Sequence, residues 1–385
     1  MKIGIITLYR GYNYGTSLQA YALKKFISSL GYQAQIVWTA QGANRGRDIR
    51  LDKVLHILRR CLLHPSLIRH TFWAYATNLS KNLTPQIKKK FLDFTQQKLA
   101  VLPLSKHQLR AFAAAPDTAG MICGSDQIWK SNAAYVESLY FLRFAPAYKR
   151  IAYAPSFGGD KVPAYNRPIL TQYISDIPYV SVREDSGKQI VQELTGRDVL
   201  VLPDPTLLLD WDEFMANATA QGNYLLAYFL DTPSQAALES LRCISQQYGW
   251  RILAFPYRYK AYTTFKNLQY IEPGPEAFVG LIKRAKCVLT DSFHGTIFAI
   301  NLQIPFWTFE RNYATGKGQS SRLTSVLNRL NLQTHYITQP DKKTHQIPTD
   351  TAALKTAKKW ILAQRKISKQ FLQNALSNIG EMNAE

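Results

Sequence analysis

The chain has 385 residues, enough for two or three domains. Hydrophobic residues make up 46% and aromatics 12%, which supplies real cores and excludes wholesale disorder. Lys and Arg number 47 against 26 Asp and Glu, and the net charge of +21 points to an anionic partner: nucleic acid, an anionic membrane surface or a phosphorylated substrate.

Ile3 to Leu8 is a near-continuous apolar run, the pattern of a strand buried on both faces. A loop over 9–16 follows, then helical periodicity from Ser17 to Leu30 with Gly31 as its stop, and a strand from Gln35 to Trp38. This βαβ opening predicts a parallel sheet. Arg50 to Tyr75 reads as an amphipathic helix inside a basic stretch: Arg45 to Arg110 holds 14 Lys and Arg against 3 Asp. Such a helix either packs normally with a solvated basic face or lies on a membrane. Strand-like runs recur at Gly120 to Cys123, Arg150 to Ala154, Tyr179 to Val182 and Val199 to Leu202, with a short helix at Ser186 to Thr195.

The pattern restarts near Asp210. Strands are predicted at 223–230, 251–255, 287–290 and 305–309, and helices at 234–248, 275–285, 296–301, 321–330 and 349–376. The expected organisation is an N-terminal unit over 1–210 with a basic helical insertion at about 45–110. A second unit covers 211–345, and a C-terminal helix in 346–385 packs back across both. The fold class is α/β: two Rossmann-like, doubly wound domains facing a cleft, with ligands at the carboxyl ends of the strands. No run reaches the length of about 18 apolar residues that a membrane span needs. The N-terminus lacks a signal-peptide pattern, and four scattered cysteines fit a reducing cytoplasm.

Four segments carry chemistry. In Thr290-Asp291-Ser292-Phe293-His294-Gly295-Thr296 a buried strand runs into a tight loop, and a helix opens at Gly295. His294 then stands at a helix N-terminus, an anion-binding position, with a group that titrates near neutral pH. Arg183 follows the strand Tyr179 to Val182. Its planar fork suits a carboxylate or phosphate, and a structural pair with Glu184 or Asp185 is the alternative. Ser125, Asp126 and Gln127 follow another strand and suit a sugar, a phosphate or a helix cap. Asn13, Gly15 and Thr16 form a weak anion loop before a helix. Pro203-Asp204-Pro205 reads as a structural turn. The sequence carries no HExxH, GxSxG or EF-hand pattern, so no metal is expected.

Taken together, six stretches in order resemble the polysaccharide pyruvyl transferase family: Asn13 to Leu23, Gly124 to Trp129, Tyr153 to Gly158, Ser181 to Glu184, Asp204 to Leu208, and Thr290 to Thr296. The resemblance implies a GT-B-like fold and no cofactor beyond phosphoenolpyruvate as co-substrate. It implies a pyruvate ketal formed on sugar hydroxyls of a glycan or polyprenyl-diphosphate-linked precursor, with phosphate released. His294 and Arg183 match the family's catalytic and donor positions. Donor contacts are expected from Ser292, Gly295 and Thr296, and from Arg311, Lys317 or Arg322 in place of an Arg that some members carry where Ser292 stands. Asn13, Tyr14, Gly15, Ser125, Asp126 and Gln127 are expected to face the acceptor, while Asp126 or Asp291 shares proton traffic. The alternative is a glycosyltransferase of the same fold using a nucleotide sugar. Most of the basic charge is expected on the inner membrane face of the cytoplasm or a lipid-linked diphosphate, and nucleic acid becomes the least expected partner.

Overall fold

The computed structural model describes residues 1–39, 49–63, 65, 83–217, 220–311 and 321–382. The first sheet contains β1 (Lys2–Ile6), β2 (Gln33–Trp38), β3 (Leu102–Pro103), β4 (Thr118–Cys123), β5 (Arg150–Ala152), β6 (Tyr179–Val182) and β7 (Leu200–Val201). Their order across the sheet is β3-β2-β1-β4-β5-β6-β7, all parallel. The second sheet contains β8 (Tyr224–Tyr228), β9 (Arg251–Ala254), β10 (Leu268–Tyr270), β11 (Cys287–Thr290), β12 (Phe306–Phe309) and β13 (Tyr336–Ile337). It is also parallel, in the order β10-β9-β8-β11-β12-β13.

The helices of nine residues or more among the described residues are α1 (Tyr14–Ser29), α2 (Ile49–Leu63), α3 (Pro85–Phe94), α4 (Lys106–Ala114), α5 (Arg167–Ser175), α6 (Asp185–Thr195), α7 (Gln235–Tyr248), α8 (Pro275–Arg284), α9 (Phe293–Asn301), α10 (Ser321–Arg329) and α11 (Thr351–Met382). Each sheet is doubly wound, so the chain reverses its direction of travel beside β1 and again beside β8. Such reversals open a crevice beyond the carboxyl ends of the strands. In the first sheet the crevice lies between the loops after β1 and β4, and in the second between the loops after β8 and β11. The two-domain α/β architecture expected from the sequence is therefore present, of the GT-B-like kind.

Three apolar layers hold the molecule. One covers the outer face of the first sheet, one the outer face of the second, and the third runs continuously from one sheet to the other. Strand β1 shows why the first sheet is two-faced: Ile3, Ile5 and Ile6 are all fully buried. Gly4 is where neighbours crowd it, since a Cβ there would stand 2.4 Å from the Met121 side chain on β4.

The shared layer is aromatic. Tyr14 of α1 stacks on Phe278 of α8, with ring centroids 4.6 Å apart and planes within 8°. Phe91, Tyr228, Phe255 and Tyr257 surround that pair. Tyr14 Oη donates to the Pro273 carbonyl at 2.8 Å, and Tyr257 Oη to the Tyr12 carbonyl at 2.9 Å. Each well-oriented aromatic pair adds about 0.5–1.5 kcal/mol beyond its buried area.

Helix α11 is the second tie. Lys358 reaches Asp210 and Asn301, Arg365 reaches the carbonyls of Leu207 and Leu209, and the hydroxyls of Ser368 and Tyr153 lie 3.1 Å apart. Its Leu376 and Ile379 press on Gly120 in β4. No helix among the described residues is long and apolar enough to cross a membrane.

Several expectations shift. Sequence periodicity missed α3, α4, α5, β3, β10 and β13. Helix α2 ends at Leu63, and the rest of the helix expected to reach Tyr75 lies outside the described residues apart from Pro65. The expected packed face of α2 is open: Val54, Leu55 and Leu58 are more than half exposed and Leu62 is 83% exposed. Arg60 instead anchors the helix, donating to Ala134, Tyr165 and Asn166. Cys123 and Cys287 are buried, and burial pushes both thiols well above their ordinary range; Cys61 and Cys243 are half-buried.

Candidate active site

The second crevice is built first by its loop. Strand β11 is entirely buried and stops at Thr290. Asp291 then accepts the N–H groups of Leu230 and Asp231 at 2.7 and 2.8 Å, joining the loops after β11 and β8. Arg311 closes the same knot, its Nε 3.1 Å from the Asp291 carboxylate and 3.0 Å from its carbonyl. Burial nevertheless holds the Asp291 carboxyl above its ordinary value. Ser292 caps α9 by accepting the Gly295 N–H at 3.3 Å. The helix therefore begins at Phe293, earlier than periodicity indicated, because Ser292 reads as loop until its capping bond is seen. His294 lies in its first turn.

His294 is 6% exposed and points at the first domain. Its Nε2 lies 3.5 Å from Asp204 Oδ2, beyond an ordinary hydrogen bond, and has no hydrogen-bond partner. Gly15, near the start of α1, lies flat against the imidazole: a Cβ there would stand 2.0 Å from the ring. Asp204 follows β7. Its Oδ1 accepts the Thr206 N–H at 3.0 Å and the Thr206 hydroxyl at 2.8 Å, and its Oδ2 accepts Arg183 Nη1 at 2.6 Å.

Arg183 follows β6 and is equally buried. Its guanidinium sits 4.6 Å from the Phe293 ring centroid, a cation–π contact across the domains. Nη2 is 3.6 Å from Asp126 and Nε is 3.7 Å from Glu184, so this edge of the fork is buried without a hydrogen bond. Asp126 has a left-handed backbone (φ +64°), which Asp tolerates better than most residues, and it accepts the Thr16 hydroxyl at 2.9 Å. Glu184 Oε1 accepts from the Ser156 hydroxyl and the Phe157 N–H, while its Oε2 is unbonded. Arg322 of α10 stands 5.6 Å from the same Phe293 ring, and its two Nη groups lie 3.0 and 3.2 Å from the Gln127 carboxamide.

The charges support one another. Burial raises the Asp204 carboxyl, but His294, Arg183 and the Thr206 N–H outweigh it and hold the group well below the usual carboxylate range. Asp126 is lowered in the same way by His294, Arg183 and Arg322. Burial opposes the charge on Arg183, and Asp204, Asp126 and Glu184 more than restore it.

The structure thus gathers His294, Arg183, Arg322, Asp126, Gln127 and Gly15. Other expected contacts turn inward. Tyr14 is fully buried in the interdomain stack, so packing replaces the acceptor contact expected of it. The Ser125 hydroxyl is fixed to the Ala154 carbonyl, and Asn13 caps α1 through the Thr16 N–H. Thr296 bonds Thr308 and the Ser292 carbonyl, Gly295 is pressed against Thr290, and Arg311 is held by Asp291. Lys317 lies outside the described residues. Sequence reasoning gave Phe293 and Asp204 no role in the site and offered Glu184 only as a structural partner of Arg183. For Glu184 and Phe293 the available signal was position, since each sits just after a strand end beside a residue already singled out.

A statistical model of the family "Polysaccharide pyruvyl transferase" matches residues 13–313. This chain belongs to that family. The matched span of this pyruvyl transferase family member opens at the cap of α1 and closes just past Arg311, so it encloses every residue of the cluster except Arg322. No curated protein matches the chain. Among solved structures it is similar to a UDP-GlcNAc 2-epimerase from Methanocaldococcus jannaschii, at 12% identity and TM-score 0.49, covering 94% of this chain and 99% of that one. It is similar to the wall teichoic acid polymerase TagF (H444N variant), at 10% identity and TM-score 0.49, with 100% and 90% covered. It is also similar to S. aureus MnaA, at 12% identity and TM-score 0.47, with 90% and 86% covered.

Proposed function

We propose that the enzyme transfers the pyruvyl group of phosphoenolpyruvate onto two hydroxyls of one sugar in a glycan or lipid-linked glycan precursor, forming a ketal and releasing phosphate. The observation that carries this reading is the buried cluster of His294, Asp204 and Arg183 where the two crevices meet, with Arg322 above the same aromatic ring. Phosphoenolpyruvate has a carboxylate and a phosphate close together, so it needs two cationic anchors on a rigid support. The unbonded Nε–Nη2 edge of Arg183 matches a carboxylate in shape, and stacking on Phe293 fixes its plane. Arg322 and the first turn of α9 offer charge to the phosphate.

The reaction adds a proton to the methylene carbon while one hydroxyl oxygen bonds to C2 and gives up its own proton. The C2–O bond to phosphate then breaks, a second hydroxyl oxygen bonds to C2, and its proton leaves with the phosphate. His294 Nε2, unbonded and facing the cluster, is the atom that moves the proton. Asp204 acts through His294 and Arg183 as a positioning residue. Gln127 lines the acceptor side. The exposed leucines of α2, beside Arg59, fit a partner at an anionic membrane surface, where a lipid-linked acceptor would reside.

Phosphoenolpyruvate and UDP-sugars, each isotope-labelled and incubated with a lipid-linked glycan fraction, test the reading. Label transfer and phosphate release from phosphoenolpyruvate are expected, and His294→Ala should lower turnover at least ~10²-fold with the fold retained. Sugar incorporated from a UDP-sugar in place of pyruvate overturns it.

A further inference from the structure

A groove of about 560 Å³ opens beside the first crevice, away from the His294 cluster. It lies where β1 and β2 end: Tyr9, Arg10, Gly11 and Tyr12 form one wall, Trp38 another, and Phe91, Leu92, Thr95 and Gln96 of α3 and the segment after it close the third. Its size is within the range of small-molecule sites, roughly 300–1,000 Å³. The proposed chemistry assigns it no role.

Three features define what it would hold. Tyr9 and Trp38 meet edge to face, with centroids 5.9 Å apart, and the exposed Arg10 guanidinium stands 5.2 Å from both rings. The Trp38 indole N–H, on a residue that lines the groove, is buried and makes no hydrogen bond, so a ligand oxygen that displaces its cover would satisfy it. One wall leads along the chain towards the cleft: Tyr12 immediately precedes Asn13, which caps the helix whose Gly15 touches His294, and the Tyr12 carbonyl is fixed by Tyr257 of the second domain.

A pyranose ring has an apolar C–H face that suits the negative face of an aromatic ring, and hydroxyls on its rim for Arg10, Gln96 and an indole N–H. An alkyl chain would fill the apolar part and leave the Trp38 donor unmade. We infer that this groove is a remote glycan subsite, seating sugar rings of the acceptor beyond the one that is modified. The inference rests on the proposed glycan acceptor, and its test is arranged to fail separately from it.

The probe is the delipidated oligosaccharide released by mild acid from the producing cell's lipid-linked glycans, compared with its terminal monosaccharide. Trp38→Ala and Arg10→Ala should each raise KM for the oligosaccharide at least tenfold. The kcat, the KM for phosphoenolpyruvate and the kinetics with the monosaccharide should stay unchanged, and Trp38→Phe should restore part of the loss. Thermal unfolding checks the Trp38 variants; Arg10 is exposed and keeps the test open if they do not fold. Isothermal titration of the same oligosaccharide, with no donor present, reads the groove even if pyruvyl transfer fails, and weaker binding by the variants is again expected. Unchanged oligosaccharide KM and affinity in both Ala variants overturn the subsite, as does an equal loss with the monosaccharide. A loss confined to the intact lipid-linked acceptor overturns it in favour of a lipid-tail groove.

Discussion

At the residue scale, Asp204 is the carboxylate on which the site depends. It is wholly buried, bonded to Arg183 at 2.6 Å, and faces a histidine from the other domain. Its ionisation is easier in the folded chain than in the unfolded one, so it stabilises the fold above the ordinary carboxylate pKa, and that contribution is lost as pH falls through the depressed folded value. Asp204→Asn should therefore be less stable than the wild type near neutral pH, with the gap closing as the medium is made strongly acidic. Urea titrations across pH measure this; a gap that stays constant contradicts the assignment. The sequence showed Asp204 as the middle of a Pro-Asp-Pro turn and the start of a family-like stretch but not as a partner of His294, because nothing local in that segment says that β7 ends opposite α9.

At the element scale, the first turn of α1 against the first turn of α9 sets the reactive geometry. Gly15 has ordinary helical backbone, so its lack of a side chain matters only for the closeness of the imidazole. Gly15→Ala pushes a methyl group into the base of the His294 ring, which must move. Displacements of about 1 Å cost on the order of 10²-fold in rate, so kcat should drop by that order while the unfolding midpoint stays near that of the wild type. Steady-state kinetics beside thermal melts decide it, and an unchanged kcat removes Gly15 from the site. Elements were legible where burial is two-sided: β1, β6 and β11 read as apolar runs, and Arg183 and His294 drew attention because they follow such runs. Tyr14 was misread because a tyrosine in a polar loop looks solvent-facing, and only the approach of α8 turns it into core. Helices α3, α4 and α5 escaped because their apolar stripes are short, and in α3 and α4 also interrupted by charge.

At the scale of the whole molecule, the surplus of +21 lies mostly outside the cluster. The cluster itself holds two arginines and a histidine against Asp126, Asp204 and Glu184, so the site is nearly balanced, and the surplus is carried elsewhere. Helix α2 joins basic residues to leucines that face outward. Each Lys or Arg near an anionic surface contributes about 1 kcal/mol, screened by salt. Vesicles rich in phosphatidylserine should bind the protein more tightly than neutral ones. Raising salt from about 0.1 M to about 0.5 M should weaken that binding, and Leu55→Asp with Leu58→Asp should weaken it at least tenfold. Binding indifferent to lipid charge and salt overturns this. The contact between Asp204 and His294 has a further consequence for anyone building hybrid enzymes. Exchanging one half of the chain for that of a relative, to change which glycan is modified, separates a histidine from the carboxylate it matured beside. A working graft would have to carry the Asp204 turn, the start of α1 and the trailing helix α11 together with the half that is kept.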